Sequence, residues 1–228
     1  MKPNPIIVAL DFETAAEASA LVARLGDRVH VYKVGMELYA AAGMSFAKEL
    51  RAQGKDVFLD MKFYDIPETV RRAVCQVARA GLQFLTVHGS DAVMRAAVEG
   101  RGAANLKLLA VTVLTSFDQQ DIEDLGYPCD VASLVDLRVK KAMALRVDGI
   151  VASPLDAARI RRLAGPDAVL VTPGVRSAGA AKADQKRVAT PAEAVRDGAD
   201  YVVMGRQITR AADPAGEADK VLEEIAKA

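Results

Sequence analysis

Three charged residues stand close together in the stretch Asp60-Met61-Lys62-Phe63-Tyr64-Asp65-Ile66-Pro67-Glu68-Thr69. The preceding run Asp56-Val57-Phe58-Leu59 reads as a short buried strand, and Pro67 opens a helical pattern where a missing N–H costs nothing. Asp60, Lys62 and Asp65 therefore lie where a strand gives way to a helix. Alternation along a strand points Asp60 and Lys62 to one side, with Asp65 returning from the turn. Carboxylates beside a lysine favour its ammonium form. Such a lysine is a poor Schiff-base nucleophile, since that chemistry needs the free amine. It is a good proton donor and a good cation to place beside a developing carbanion. Taken alone, the same three charges also fit a surface ion pair at a strand end.

Elements that would carry such a group recur along the whole chain. Ile6–Leu10 is a first apolar run, ending at Asp11, and Thr14 with Glu17 forms a capping pattern for a helix that stops near Gly26. Val29–Val34 is a second strand, carrying Lys33, followed by a helix from about Gly43 to Gln53. After the third strand come a helix over Pro67–Ala80 and a fourth strand, Phe84–His88, with Ser90 or Asp91 able to cap the next helix. Leu108–Leu114 is the fifth strand and leads into Thr115 and a polar loop, then a helix over about Asp130–Arg146. Gly149–Ala152, Ala168–Thr172 and Tyr201–Met204 are the remaining strands. Helices are expected near Leu155–Leu163, after Thr190-Pro191, and after Asp213-Pro214. Strand–helix alternation repeated eight times, with no linker or low-complexity break, predicts a single (β/α)8 TIM barrel over residues 1–228. The competing doubly wound sheet lacks its glycine-rich dinucleotide fingerprint after the first strand.

In such a barrel the chemistry sits at the C-terminal strand ends. Those ends hold Asp11, Lys33, Asp60 with Lys62, His88, Thr115, Pro173-Gly174-Val175-Arg176 and Gly205-Arg206. Loops after the last two strands often hold a phosphate in this fold. Glycine lets backbone N–H groups approach an anion, and arginine adds a bidentate charge. An ordinary glycine turn with a solvated arginine is the plainer alternative. The stretch from Arg176 to Val188 is long for a barrel loop, which suits a lid. His88 is read as structural, and neither Cys75 nor Cys129 has an obvious partner.

Composition narrows the function further. Lys plus Arg equals Asp plus Glu, at 30 each, which argues against nucleic-acid binding by a bulk positive field. Two widely spaced cysteines suggest neither a disulfide framework nor a zinc site, and no cluster has metal-ligand spacing. No signal pattern or membrane-length apolar run is present, so a soluble cytoplasmic setting with no membrane partner is the default expectation.

The stretch from Asp60 to Thr69 closely resembles the D-x-K-x-x-D-I-P-x-T signature of the orotidine 5′-phosphate decarboxylase family. Leu10-Asp11, Tyr32-Lys33-Val34-Gly35, Val111 to Ser116, Leu170 to Arg176, Asp184-Gln185 and Tyr201 to Arg206 fit the same pattern in order. The resemblance spans the chain and is nearest to the short bacterial form. It implies a cofactor-free, metal-free decarboxylation of orotidine monophosphate to UMP and CO2 in pyrimidine biosynthesis. It further implies that Lys62 protonates C6 and that Asp60 lies against the substrate carboxylate. Lys33, Asp60, Lys62 and Asp65 would form an alternating charge array, with Asp65 supplied by the other subunit of a homodimer. Thr69 from that subunit and Asp11 would hold ribose hydroxyls, and Thr115 would sit near the base. Arg176, Gln185, Gly205 and Arg206 would grip the phosphate. Ser177 and Gln207 depart from the family, which often has proline at both places, and so does the Gly89-Ser90-Asp91 turn.

Magnesium-dependent sugar-phosphate enzymes of the same barrel group share the Asp-x-Lys-x-x-Asp core. Ile66-Pro67-x-Thr69 and Asp184-Gln185 argue against them. A Schiff-base aldolase would need its lysine in an apolar pocket, and a mere phosphometabolite-binding barrel would need no such array.

Overall fold

Eight short runs of Val, Ile, Leu and Ala pair in parallel, each with its neighbours in sequence, and the eighth returns to pair with the first. The computed structural model describes residues 4–178 and 189–227. The strands are β1 (Ile6–Ala9), β2 (Val31–Gly35), β3 (Asp56–Phe63), β4 (Phe84–His88), β5 (Lys107–Val111), β6 (Gly149–Val151), β7 (Val169–Thr172) and β8 (Tyr201–Met204). They form a closed (β/α)8 barrel, as the alternation predicts. Parallel strands covered on both faces read as near-continuous apolar runs, as Ile6–Ala9, Gly149–Val151 and Tyr201–Met204 do.

The pleat divides the core into two. Ile6, Val8, Tyr32, Val34, Val57 and Leu59 face outward and pack under the helices. Ile7, Ala9, Val31, Phe58, Phe84, Leu109, Val111, Val171 and Val203 face inward and fill the barrel. Phe84 packs edge-on against both Phe58 and Tyr201 there. The barrel is thus plugged with side chains and opens only at its ends.

Ten helices join the strands among the described residues: α1 (Ala15–Leu25), α2 (Met36–Ala52), α3 (Pro67–Arg79), α4 (Asp91–Arg101), α5 (Gln119–Asp124), α6 (Val131–Ala144), α7 (Ala157–Ala164), α8 (Pro191–Arg196), α9 (Arg206–Thr209) and α10 (Pro214–Ala226). Local chemistry sets their starts. The Thr14 hydroxyl accepts the Glu17 N–H at 3.2 Å, and Thr190 with Glu193 closes a full capping box ahead of Pro191. None of the described helices is long and apolar enough to cross a membrane.

Several boundaries depart from the sequence expectation. α2 starts at Met36, and Gly43, where a helix start is expected, marks a kink within it at φ 63°. The fifth strand ends at Val111, three residues before the expected Leu114, because the chain turns there and Phe117 N–H bonds Leu114 O at 2.9 Å. α5 and α9 occupy stretches that carry no helical apolar pattern. α5 is held by a capping box in which Asp118 accepts from Gln120 and Asp121 and donates its own N–H to Asp121.

Candidate active site

The inward pleat places the charged groups. Lys33 continues the face of Val31 on β2, Asp60 continues that of Phe58 on β3, and Thr86 continues that of Phe84 on β4. Each therefore emerges one step above the apolar plug, at the C-terminal mouth. A cleft of about 280 Å³ opens there, roomy enough for a small molecule rather than a lone ion. Ala9, Phe58, Val111, Val151 and Val203 contribute its apolar lining.

Four charges of alternating sign run along one wall. Asp11 accepts from Lys33 Nζ at 2.8 Å, Lys33 Nζ stands 3.9 Å from Asp60 Oδ2, and Lys62 Nζ donates to Asp60 Oδ1 at 2.9 Å. The two inner members are well covered, with Lys33 and Asp60 side chains 12% and 15% exposed. Glycine at position 35 leaves room for the first pair. A Cβ there would stand 2.9 Å from Lys33 Nζ and 3.1 Å from Asp11 Oδ1.

Lys62 does not reach the wall by simple strand alternation. The register of β3 against β4 shifts between Leu59 and Phe63, and Lys62 adopts φ 47°, a left-handed conformation that side chains rarely take. Thr86 ties this bulge down. Its hydroxyl accepts the Lys62 N–H at 2.8 Å and donates to Asp60 Oδ1 at 3.0 Å. Thr86 is fully buried, so both bonds are partly shielded from water. It is absent from the residues singled out in the sequence, where a threonine in a strand reads as ordinary β-former. The available signal is its spacing, two residues before His88 on the inward face.

The opposite wall comes from the loops after β7 and β8. Gly174, at φ 76°, turns the chain into Val175-Arg176, and Arg176 N–H bonds Ala189 O at 3.0 Å. Arg176 and Arg206 both line the cleft, with Gly205 between β8 and Arg206. Burial, and next the charge of Arg206, push the Arg176 guanidinium below the usual arginine range. Its Nε is buried with no hydrogen-bond partner among the described residues. Two cations turned toward one cleft are a ready place for an anion. Thr115 lines the same cleft from the loop after β5.

Asp65 and Thr69 do not enter the cleft of their own chain. Both are exposed, and Asp65 accepts its neighbour Ile66 N–H at 2.6 Å at the start of α3. Tyr64 and Ile66 beside them in the chain, and Met36 at the start of α2, are large apolar side chains, each more than 60% exposed. Gln185 and the rest of the expected lid after Ala178 lie outside the described residues. His88 stacks on Tyr64 with ring centroids 4.2 Å apart, and burial followed by the Arg138 charge lowers its pKa to about 4. Among the described residues, no three His, Cys, Asp or Glu side chains group as a metal-ligand set.

Comparison with known proteins bears on this arrangement. The model of the orotidine 5′-phosphate decarboxylase / HUMPS family matches residues 4–221. The chain belongs to that family. The orotidine 5′-phosphate decarboxylase of Nitrobacter winogradskyi is 51% identical over 223 residues, covering 98% of this chain and 93% of that protein. That of Rhodopseudomonas palustris strain BisA53 is 50% identical over 220 residues, covering 96% and 94%. The crystal structure of orotidine 5′-phosphate decarboxylase from Lactobacillus acidophilus superposes with a TM-score of 0.86 at 34% identity, covering 97% of this chain and 99% of that one. Family membership and the barrel thus agree with the resemblance carried by the Asp60–Thr69 stretch.

Proposed function

We propose that this chain is a carboxy-lyase that converts orotidine 5′-monophosphate to UMP and CO2 in pyrimidine biosynthesis, as one barrel unit working in the cytoplasm. The observation that carries the reading is the alternating wall Asp11–Lys33–Asp60–Lys62, which shares one cleft with Arg176 and Arg206. The bond from C6 to the carboxylate breaks, its electron pair stays on C6, and CO2 leaves. Lys62 then gives C6 a proton. An ammonium fixed beside the nascent carbanion stabilises it electrostatically at the moment charge develops. Asp60 faces the substrate carboxylate and, through its 2.9 Å bond, aims the Lys62 ammonium.

Reactions this slow without a catalyst call for barrier lowering on the order of 20 kcal/mol. One ion pair supplies a fraction of that, so binding energy from the remote phosphate must contribute. In this reading Arg176, Arg206, the backbone at Gly205, and Gln185 hold the phosphate. Asp11 holds a ribose hydroxyl and Thr115 lies near the base. Asp65 and Thr69 act in the cleft of a second copy of the chain, completing its charge array and its ribose contacts. Their exposure, and that of Tyr64 and Ile66 beside them in the chain, support that assignment.

The test is the loss of orotidine monophosphate absorbance on adding purified protein in the presence of EDTA. Rapid loss with UMP as product supports the reading and separates it from magnesium-dependent sugar-phosphate chemistry. A folded sample that leaves the substrate untouched overturns it.

A further inference from the structure

Arg176 lies in the loop after β7 and Arg206 opens α9, yet the residue after each one bonds the other's. Ser177 N–H donates to Gln207 Oε1 at 3.1 Å, and Gln207 Nε2 donates to Ser177 Oγ at 2.9 Å. The same Nε2 also donates to Glu217 Oε1 at 2.9 Å, in the first turn of α10. The amide oxygen and both amide hydrogens are therefore engaged. The orientation is dictated as well: a flipped amide would set N–H against Ser177 N–H and oxygen against the Glu217 carboxylate. Gln207 thus joins three separate elements, the β7 loop, α9 and α10, at the back of the arginine wall.

That wall needs a brace. Arg176 and Arg206 carry like charge, and the proximity of Arg206 is one of the two causes that hold the Arg176 guanidinium below its ordinary range, after burial. Like charges favour moving apart, and loops yield to such forces more readily than strands. The sequence offers no stiffening at these places, since serine and glutamine follow the arginines. We propose that Gln207 is a positioning residue whose clasp on Ser177 and Glu217 sets the spacing of Arg176 and Arg206 for the substrate phosphate. The inference rests on the phosphate-binding reading given above. Gln207 itself is not required to touch substrate, because its polar atoms are already committed.

The experiment uses the full chain and measures dissociation constants for UMP and for uridine by competition, with KM and kcat for orotidine monophosphate. Gln207→Ala is expected to weaken UMP about tenfold while leaving uridine within about twofold, because only the phosphate contact is loosened. KM should rise in parallel, by more than kcat falls. Glu217→Gln, which keeps an acceptor for Nε2, should behave as wild type, whereas Glu217→Ala should show part of the Gln207→Ala defect. Glu217→Ala also serves as the second probe if Gln207→Ala folds poorly, since it lies away from the cleft. Equal losses for UMP and uridine, or unchanged UMP binding in both alanine variants, would overturn the proposal. Arg206→Ala separates the two levels. If it weakens UMP selectively and Gln207→Ala does not, the clasp is refuted while the phosphate reading stands. If Arg206→Ala leaves the UMP-to-uridine ratio unchanged, the phosphate reading fails and the clasp falls with it.

Discussion

Replacing Thr86 by valine would be the sharpest probe of how the charged wall is held. The change is close to isosteric, so packing inside the barrel is kept while two hydrogen bonds vanish. One runs to Asp60 Oδ1 at 3.0 Å and the other comes from Lys62 N–H at 2.8 Å. A hydrogen bond to a charged group is worth about 1.5–3 kcal/mol, and a buried N–H left without a partner costs about 1–3 kcal/mol. Lys62 also holds a left-handed backbone at φ 47°, which disfavours a side-chain-bearing residue by roughly 1–2 kcal/mol. Once the Thr86 tether is gone, relaxing that strain becomes the cheapest response, and the Lys62 ammonium moves. The net stability loss should be about 2–4 kcal/mol, lowering Tm by roughly 4–16 °C for a chain of this size. A displacement near 1 Å at a reacting group costs about a hundredfold in rate. We therefore expect kcat for orotidine monophosphate to fall about a hundredfold, with UMP affinity within about threefold, because the phosphate wall is untouched. Thr86→Ser keeps both bonds and loses one methyl group, about 1 kcal/mol of burial, so it should recover most of the rate. A Thr86→Val enzyme with near-normal kcat, or a Thr86→Ser enzyme as impaired as the valine variant, would refute the reasoning.

Other perturbations address separate parts of the arrangement. Lys62→Ala should reduce turnover by many orders of magnitude while UMP affinity stays within roughly tenfold; equal losses in both would count against a proton donor. Gly35→Ala places a methyl 2.9 Å from Lys33 Nζ, so the Asp11–Lys33 pair must shift, and a decline in kcat/KM without loss of helicity by circular dichroism is the expected signature. If Asp65 serves a second copy, mixing inactive Asp65→Ala and Lys62→Ala proteins should regenerate active hetero-oligomers, and mixtures that stay inactive after subunit exchange would argue that each chain completes its own site. His88 titrates near 4 in the fold against 6.5 when free, so its neutral form is favoured by folding. Its contribution is complete above about pH 6.5 and is lost as pH falls toward 4, by at most about 3 kcal/mol. Urea titrations across that window should show a shallower slope for His88→Gln than for wild type.

What could be read from the residues and what could not divide along a physical line. β4 and β8 match their expected limits because Phe84–His88 and Tyr201–Met204 are apolar runs bounded by polar or glycine positions. α5 and α9 escaped because they are short and each buries a single residue, Ile122 and Ile208. Such helices are fixed by caps and by the elements beside them rather than by an apolar stripe. The third strand runs four residues past Leu59, through Asp60, Met61, Lys62 and Phe63. Their charged–apolar alternation is strand-like, but the register shift that carries the strand on to Phe63 comes from pairing across to β4.

The same distinction explains the site. A period of two carries Val31 to Lys33, Phe58 to Asp60 and Phe84 to Thr86, so the polar layer is the core's own inward face continued one step toward the mouth. Any reading that finds the strands finds Lys33 and Asp60. Lys62 lies two residues further on and would seem to follow from the same rule. It arrives there instead through a register shift and a positive φ, features that no residue type at positions 60–63 encodes. The residue that makes the bulge tolerable, Thr86, is 24 positions away on the next strand. Proximity of Asp60 and Lys62 was legible because spacing and chemistry pointed the same way. The cause of their 2.9 Å contact was not, because it resides in a cross-strand hydrogen bond that exists only once the barrel has closed.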